Sequence, residues 1–368
     1  MNIILFGGGK EKMKNKIVGI FVCMLLIATM ILPVTGKITI SSTVDRKSNS
    51  INHSVFMNSD GSKLKFMIAG SRLRCLRFYR IYVPPSYDGS EPVPLVLAFH
   101  GSTGMGEDFK PSTILWFYRD VFFEDYTDFN EKADEEGFIV VYPKALVFYI
   151  PHINYYLFAY NALQWPDSWF RWRNLIDDVG FTEDLINKMQ RNYNIDSDRI
   201  YITGFSAGAD MTHSLGCVLS DKVAAIAPIA GAVACKDATD EEFIYPPDPE
   251  NPVSVIVFHG TNDSLIPWEG NEENCAVNDS VQFWVEHNGC DPDPEINVSE
   301  SGNIVRYTYS NGTDGTEVIL YKTVGGEHWW PGNDFTDPDN VAPWLVDTIQ
   351  EIDATDLMWE FFEQHPKQ

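Results

Sequence analysis

The strongest evidence on the fold comes from the segment Ile200-Tyr-Ile-Thr-Gly-Phe-Ser-Ala-Gly-Ala-Asp. A short run of β-branched and aromatic residues leads directly into a Gly-x-Ser-x-Gly turn, and a sequence that can form a helix follows. Such a turn between a strand and a helix exposes its serine at the end of a sheet. The small residues Gly204 and Gly208 let the strand and the helix approach closely. The segment predicts Ser206 as a nucleophile, and the competing interpretation is an ordinary strand-to-helix loop.

A serine hydroxyl needs a base to take its proton and an acid that orients the base. Asp263 is the candidate acid, because it directly follows the buried-strand pattern Val255-Ile-Val-Phe-His-Gly-Thr-Asn. Sheets of parallel strands build their sites at the carboxyl ends of the strands. An aspartate in this position could instead close a turn. Asp279 and Asp237 are weaker candidates, since neither follows a strand so directly.

His328 is the candidate base. It lies in Gly325-Gly-Glu-His-Trp-Trp-Pro-Gly, after a strand-like run, and it is downstream of the candidate acid. Packing against the neighbouring aromatic rings is the alternative explanation. His100 and His259 each precede a glycine at a strand end, which indicates structural roles. His213 falls in the helix after the serine. The remaining histidines lack a comparable context: His53, His152, His287 and His365.

The oxyanion of the reaction should be held by backbone N–H groups after an early strand. The run Val93-Pro-Leu-Val-Leu-Ala-Phe ends in His100-Gly-Ser-Thr-Gly, which fits that position. We expect Ser102 and Ala207 to supply the donors of this oxyanion hole, with Thr103 as the substitute for Ser102. A plain glycine turn is the alternative.

Apolar runs of strand length alternate with helical patterns along the chain. The strands are expected at 93–99, 138–142, 199–203, 223–228, 253–258 and 318–321. Helices are expected at 178–193, 279–288 and 354–365, and 73–83 should be an antiparallel strand nearer the edge. The alternation predicts the α/β class, with a mostly parallel central sheet and helices on both faces.

The block 109–174 is dense in Trp, Tyr and Phe, and its part 145–172 shows no regular strand or helix pattern. The block is either an insertion packed on the core or a lid or cleft for an apolar or aromatic acyl group. We expect Trp165, with Trp329 and Trp330 beside the candidate base, to contact the substrate.

The amino terminus is a separate region. Lysines precede residues 17–34, which carry no charge, and small residues follow. This pattern is typical of a secretory signal peptide, and the apolar run is also long enough for an uncleaved membrane anchor. We expect 1–36 to be that signal peptide or anchor, 37–65 a linker or poorly ordered arm, and 66–368 the catalytic domain. The protein would be secreted or tethered to a membrane through 17–34.

Charge and cysteine spacing exclude some classes of partner. The net charge of −25 argues against nucleic acid and anionic membrane surfaces. No Cys-x-x-Cys or His-x-x-x-His spacing suggests a metal site, and we expect no cofactor. Because export permits disulfide bonds, Cys275 with Cys290 and Cys217 with Cys235 are expected pairs on short loops, although one sequence does not fix the connectivity.

The ordered set of motifs resembles the secreted esterases grouped as polyhydroxybutyrate depolymerase-like and feruloyl esterase-like enzymes, within the α/β-hydrolase superfamily. The resemblance extends from about residue 73 to 362 and includes Arg80-Ile-Tyr-Val-Pro, Ala133-Asp-Glu-Glu-Gly-Phe-Ile-Val-Val-Tyr-Pro and Asp177-Asp-Val-Gly-Phe. It implies an α/β-hydrolase fold and an exported serine esterase. Its catalytic residues would be Ser206, Asp263 and His328.

The resemblance leaves the substrate open. It implies either a polyhydroxyalkanoate oligomer or a feruloyl or acetyl ester of a plant polysaccharide. Ala209-Asp210 and Glu327 depart from the family pattern, which commonly has glycine or other small or apolar residues there. Two other functions remain as alternatives: an exported binding protein that keeps the fold without the chemistry, and a serine peptidase.

Overall fold

The structure is a computed structural model of the chain. It describes residues 41–44, 51–57, 61–69, 75–105, 122–150, 155–159, 177–233, 248–271, 274–332 and 350–368. The expected signal peptide or anchor at 1–36 lies outside these ranges. Among the helices that the structure describes, none combines the length and the apolar character needed to span a bilayer.

The centre of the fold is a run of parallel strands in a twelve-stranded sheet. These strands are β5 (Val93–Phe99), β7 (Ile139–Pro143), β10 (Ile195–Phe205), β11 (Ala225–Ile229), β12 (Ser254–Gly260) and β15 (Val318–Thr323). They lie in the order β7-β5-β10-β11-β12-β15 and every neighbouring pair is parallel. The predicted α/β class and mostly parallel sheet are confirmed.

Antiparallel strands extend the sheet on both sides. Beyond β7 lie β4 (Cys75–Tyr82), β3 (Lys63–Ala69), β2 (Ile51–Met57) and β1 (Ser41–Val44), and beyond β15 lie β14 (Ile304–Tyr309) and β13 (Glu295–Val298). We expected a linker or arm over 37–65, whereas its described parts form β1, β2 and the start of β3. The Ser and Asn content indicated a linker. However, β2 also carries Ile51, Val55 and Phe56, whose β-branched or aromatic side chains favour strands.

Helices cover both faces of the sheet. They are α1 (Phe122–Thr127), α2 (Phe129–Glu136), α3 (Asp178–Asn192), α4 (Ala207–Val218), α5 (Val277–Asn288) and α6 (Ala354–Gln364). Alternate residues of a strand point to opposite faces. Leu95 and Leu97 accordingly pack with α3, α4 and α5, while Val96 and Ala98 pack with α1, α2 and α6.

The start of α3 is fixed by two neighbouring aspartates. Asp177 accepts the Gly180 N–H at 2.7 Å and caps the helix. Asp178 forms a buried ion pair with Arg77 of β4, and the Arg77 guanidinium lies 4.0 Å from the Phe181 ring centroid. The Asp-Asp-Val-Gly-Phe motif therefore anchors α3 to the sheet.

Part of the aromatic block forms a small second sheet. The strands β6 (Thr103–Met105), β8 (Leu146–Ile150) and β9 (Tyr155–Ala159) are antiparallel, in the order β6-β9-β8. The lack of a regular sequence pattern in 145–172 therefore does not mean that strands are absent there. Both runs are continuously apolar and aromatic, so they lack the alternation of a half-buried strand although their residues favour strands. Because β6 directly follows Ser102, this sheet is joined to the expected oxyanion loop.

Both expected disulfide pairs are wrong. Cys217 and Cys290 are free and buried, whereas Cys275 is disulfide-bonded. Cys217 lies on α4 within the hydrophobic core, and the Cys290 thiol faces the Thr316 carbonyl at 3.7 Å. Cys217 and Cys290 fill buried positions and pair with no cysteine, so a short separation along the chain does not predict a disulfide here.

Candidate active site

The turn between β10 and α4 holds Ser206 in a strained backbone conformation. Ser206 has φ 56° and ψ −123°, a region that residues with side chains rarely adopt. Its N–H donates to the Ile229 carbonyl at 3.0 Å, and its own carbonyl accepts the Ala209 N–H at 2.7 Å. Such strain persists where surrounding contacts hold it, and it is concentrated at functional sites. The predicted sharp turn at this serine is confirmed.

Two glycines allow the close packing around the turn. A methyl group on Gly208 would overlap the carbonyl of Phe99 at the end of β5, and one on Gly204 would overlap the carbonyl of Gly208. Any side chain at these positions would push α4 away from the sheet and displace Ser206.

We expect Gly208→Ala to lower the free energy of unfolding by more than about 3 kcal/mol, because the backbone carbonyl of Phe99 cannot move away. Gly137→Ala is the matched control. Gly137 has φ 79°, but no atom lies within 4 Å of an added methyl group. The control should lose only about 1–2 kcal/mol through backbone strain. Urea unfolding followed by fluorescence measures both, and equal losses would contradict the close-packing explanation.

The structure brings the candidate acid and base together. His328 Nδ1 and Asp263 Oδ2 lie 2.7 Å apart, and both side chains are buried. The other carboxylate oxygen, Oδ1, accepts the Leu265 N–H at 2.9 Å and the Ile266 N–H at 2.8 Å. A carboxylate only accepts, so Nδ1 of His328 carries the proton and Nε2 is left as an acceptor. This is the tautomer that a general base for a serine hydroxyl requires.

The electrostatic surroundings keep Asp263 ionised. Burial raises the pKa of Asp263, but the hydrogen bonds from His328 and from the Ile266 N–H contribute to outweighing burial, so its pKa is lowered overall. A charged carboxylate facing Nδ1 holds the imidazole and stabilises its protonated form.

The loops that carry Asp263 and His328 are bonded to each other. The Asn262 N–H donates to the Gly326 carbonyl at 2.7 Å and the Thr261 N–H donates to the Thr323 carbonyl at 2.9 Å. The Gly325 N–H donates to Thr261 Oγ1 at 2.8 Å. Because β12 and β15 are neighbours in the sheet, these bonds continue their pairing into the site and fix the acid against the base.

Ser206 lies at the same edge of the sheet as this pair. The ring of Phe205, the residue before Ser206, is 4.8 Å from the His328 ring. On the other side, a methyl group on Gly101 would lie 3.3 Å from the Cβ of Ser206. The Ser206 turn therefore lies between the His328 loop and the His100–Ser102 loop.

The expected oxyanion loop is fixed by a buried histidine. The Ala145 N–H donates to His100 Nε2 at 3.1 Å, so the proton is on Nδ1, which donates to the Gly101 carbonyl at 2.7 Å. Burial, with the Lys144 charge, lowers the pKa of His100 to about 3. The neutral ring thus ties the end of β7 to the loop that leads to Ser102, which is exposed.

Acid should destabilise the fold through its buried neutral histidines. Burial lowers the pKa of His100 and of His213 to about 3, from the ordinary value of 6.5. Below about pH 6.5 the unfolded chain protonates both rings while the native protein does not, so the unfolded state binds more protons. The stability that depends on these two neutral rings is therefore fully present above about pH 6.5. It falls toward about pH 3, by up to about 1.4 kcal/mol per pH unit for each ring.

His213→Asn isolates one of these rings. The Trp284 Nε1–H donates to His213 Nδ1 at 3.0 Å, and an asparagine oxygen can accept in nearly the same place. Between about pH 6 and 4, the unfolding free energy of the variant should depend less on pH, by up to about 1.4 kcal/mol per unit. Urea titrations at each pH measure the difference. Parallel pH dependences would contradict the expectation.

The structure gives the predicted substrate-binding tryptophans a different place. Trp330 is 1% exposed; its N–H donates to the Tyr126 hydroxyl and its Nε1–H to Thr355 Oγ1, both at 3.0 Å. Trp329 is 3% exposed and packs against Gly326. Both rings support the His328 loop from the core, because the chain turns inward directly after His328. Trp165 lies outside the described residues.

The competing acids and donors are placed as follows. Asp279 is exposed in the first turn of α5, and Asp237 lies outside the described residues. Ala207 begins α4, and Thr103 begins β6.

His259, which the sequence indicated as structural, lies with Nε2 3.6 Å from Asp263 Oδ2. The signal that could have found it is its position four residues before the acid at the end of the same strand.

Comparison with known proteins gives partial matches. A family model described as Phospholipase/Carboxylesterase matches residues 175–288. Feruloyl esterase B of Piromyces equi is 32% identical over 161 residues, covering 41% of this chain and 29% of that protein. Feruloyl esterase D of Neurospora crassa is 29% identical, covering 51% and 56%. Poly(3-hydroxyalkanoate) depolymerase C of Paucimonas lemoignei is 26% identical, covering 65% and 55%.

The chain thus spans between 29% and 56% of the length of these three relatives. The matched family-model region begins just before α3 and ends with α5, so it contains Ser206 and Asp263. The predicted resemblance to feruloyl esterase-like and depolymerase-like proteins is confirmed.

Proposed function

We propose that this chain, which belongs to the α/β-hydrolase superfamily, hydrolyses carboxylic esters with Ser206 as its nucleophile. The observation that carries the proposal is the 2.7 Å bond between His328 Nδ1 and Asp263 Oδ2, on loops beside the strained Ser206 turn. The nucleophile, the acid and the base follow one another along the chain in that order, as expected of this superfamily. The names of the relatives, which are esterases and a depolymerase of a polyester, support ester hydrolysis as the reaction class.

In the first half of the reaction, Ser206 Oγ attacks the ester carbonyl carbon while His328 Nε2 takes the hydroxyl proton. The Asp263 carboxylate stabilises the imidazolium that forms. The N–H groups of Ala207 and Ser102 hold the negative oxygen of the tetrahedral intermediate. Protonated His328 then gives its proton to the leaving alcohol, and an acyl-enzyme on Ser206 remains.

In the second half, water replaces the alcohol. Water attacks the acyl carbonyl carbon while His328 Nε2 takes a proton from the water, and the same oxyanion donors act again. The bond between Ser206 Oγ and the acyl carbon then breaks, and His328 returns the proton to Oγ. The carboxylic acid is released, and the free serine is restored for the next cycle.

The substrate class is the finer part of the proposal. We infer a soluble oligomer or a small ester as the substrate. The names of the relatives suggest a feruloyl ester or a 3-hydroxyalkanoate oligomer, and the family resemblance of the sequence adds an acetyl ester of polysaccharide. We also infer export, because residues 1–36 have the pattern of a signal peptide or anchor. A polyanionic partner is disfavoured by the net charge of −25.

A panel of substrates tests the proposal. Purified protein would be assayed on p-nitrophenyl acyl esters, methyl ferulate, acetylated xylan, hydroxybutyrate oligomers and a peptide amide, with a Ser206→Ala preparation as the blank. Hydrolysis of at least one ester well above the blank is expected. An ester rate equal to the blank on every substrate would contradict the function, and amide cleavage alone would identify a peptidase.

A further inference from the structure

A second histidine lies beside the candidate acid within the described core. His259, near the end of β12, is 2% exposed. Its Nε2 is 2.9 Å from the Ile266 carbonyl oxygen and 3.6 Å from Asp263 Oδ2. The carbonyl only accepts, so Nε2 carries a proton and donates it to Ile266. Only the shorter of these distances is a hydrogen bond.

Ile266 connects His259 to the carboxylate. Its carbonyl is held by His259, and its N–H donates to Asp263 Oδ1 at 2.8 Å. The Leu265 N–H donates to the same oxygen at 2.9 Å. Rotation of the carboxylate would break both N–H bonds, so Oδ2 stays directed at His328 while the 263–266 turn keeps its place. His259 is the side chain that ties this turn to β12.

The charge state of His259 suits such a role. Burial lowers the pKa of His259 and outweighs the opposite effect of Asp263. His213 of α4 is another titratable ring close to it, and burial lowers the pKa of that ring as well. A neutral His259 leaves the charge of Asp263 to His328, whereas an imidazolium in this place would compete with His328 for the carboxylate.

We propose that His259 is a positioning residue for the hydrolysis, which holds the Ile266 peptide with its Nε2–H and thereby keeps the Asp263 carboxylate directed at His328. The inference rests on the proposed function, in which the His328–Asp263 pair activates Ser206. It predicts that the loss of one buried hydrogen bond behind the acid lowers the rate of the chemical step and not the binding of substrate.

Three substitutions test the donor at Nε2. Glutamine places an amide NH₂ close to the position of Nε2, asparagine reaches only the position of Nδ1, and leucine has no donor. Relative to wild type, His259→Leu and His259→Asn should lower kcat by about 10- to 100-fold and change KM by less than about twofold, since small misplacements of a catalytic group cost this much. His259→Gln should recover kcat to within about fivefold of wild type.

His365→Leu is the matched control. His365 is a buried histidine whose Nδ1 lies 2.8 Å from the Phe361 carbonyl, and it lines a small cavity with Ser254 at the opposite end of β12. Its loss should lower stability and leave kcat unchanged. If His259→Leu does not fold, the difference in kcat between His259→Gln and His259→Asn tests the proposal. Equal kcat in these two variants, or losses of stability alone, would overturn the proposal.

Crystal structures separate this inference from the proposed function. If the wild-type protein hydrolyses no ester, the proposed function fails, yet the positioning can still be tested in the His259→Asn variant. The expected result is a rotated Asp263 carboxylate and a lost His328 Nδ1–Asp263 Oδ2 hydrogen bond. A contact unchanged from 2.7 Å would overturn the positioning role whatever the activity.

Discussion

Replacing Ser206 by alanine should lower kcat for ester hydrolysis by about 10⁴-fold or more, because the proposed reaction has no acyl-enzyme without this oxygen. The oxyanion donors and the substrate contacts remain in the variant, so a residual rate above that of water is expected. The fold should persist: alanine removes one oxygen from a half-buried position, and the turn is held by backbone hydrogen bonds.

Steady-state kinetics on the best substrate of the panel measure this effect, with thermal unfolding as the check on folding. Ser197→Ala is the control, because Ser197 is exposed and lies on the same strand, near its opposite end. The control should match the wild-type rate. A Ser206→Ala protein with a nearly wild-type rate would remove this serine from the mechanism.

Replacing Asp263 by asparagine should lower kcat by about 10³- to 10⁴-fold. In the wild type, Oδ2 accepts the proton of His328 Nδ1 at 2.7 Å. Oδ1 is engaged with two backbone N–H groups, so the amide oxygen of the introduced asparagine takes that position and its NH₂ group faces His328. Nδ1 then becomes the acceptor, the proton moves to Nε2, and His328 can no longer take the proton of Ser206.

Asp279→Asn is the matched control for this substitution. Asp279 was the competing acid in the sequence, and it is exposed on α5. The same chemical change there should leave kcat unchanged. A loss at position 279 with none at 263 would move the acid to α5 and contradict the site described above.

The central sheet could be predicted from the sequence because its strands are buried on both faces. The runs 93–99 and 253–258 are apolar apart from Ser254, and they lie within or next to β5 and β12. The strands β8 and β9 were missed because they are aromatic and have no alternation of polar with apolar residues. The strands β1 and β2 were missed because a Ser- and Asn-rich composition hides a few strand-forming residues.

Local sequence motifs predicted the catalytic side chains of the site but not the contacts that support them. The order of serine, acid and histidine, each at the end of a strand, names the side chains that meet at one edge of the sheet. What lies behind them depends on packing between distant segments. The bond from His259 to Ile266 is local, and its one sequence signal is the position of His259 four residues before the acid. The inward turn that buries Trp330 leaves no sequence pattern of its own. The prediction of the two disulfide pairs was wrong for the same reason.

Covalent labelling with an organophosphonate, followed by peptide mass spectrometry, identifies the nucleophile directly. We expect one adduct per chain on the peptide that contains Ser206, no adduct in Ser206→Ala, and slow labelling of Asp263→Asn. Labelling should also abolish ester hydrolysis. An unmodified Ser206 after complete loss of activity, or no adduct in an active protein, would contradict a serine nucleophile at this turn.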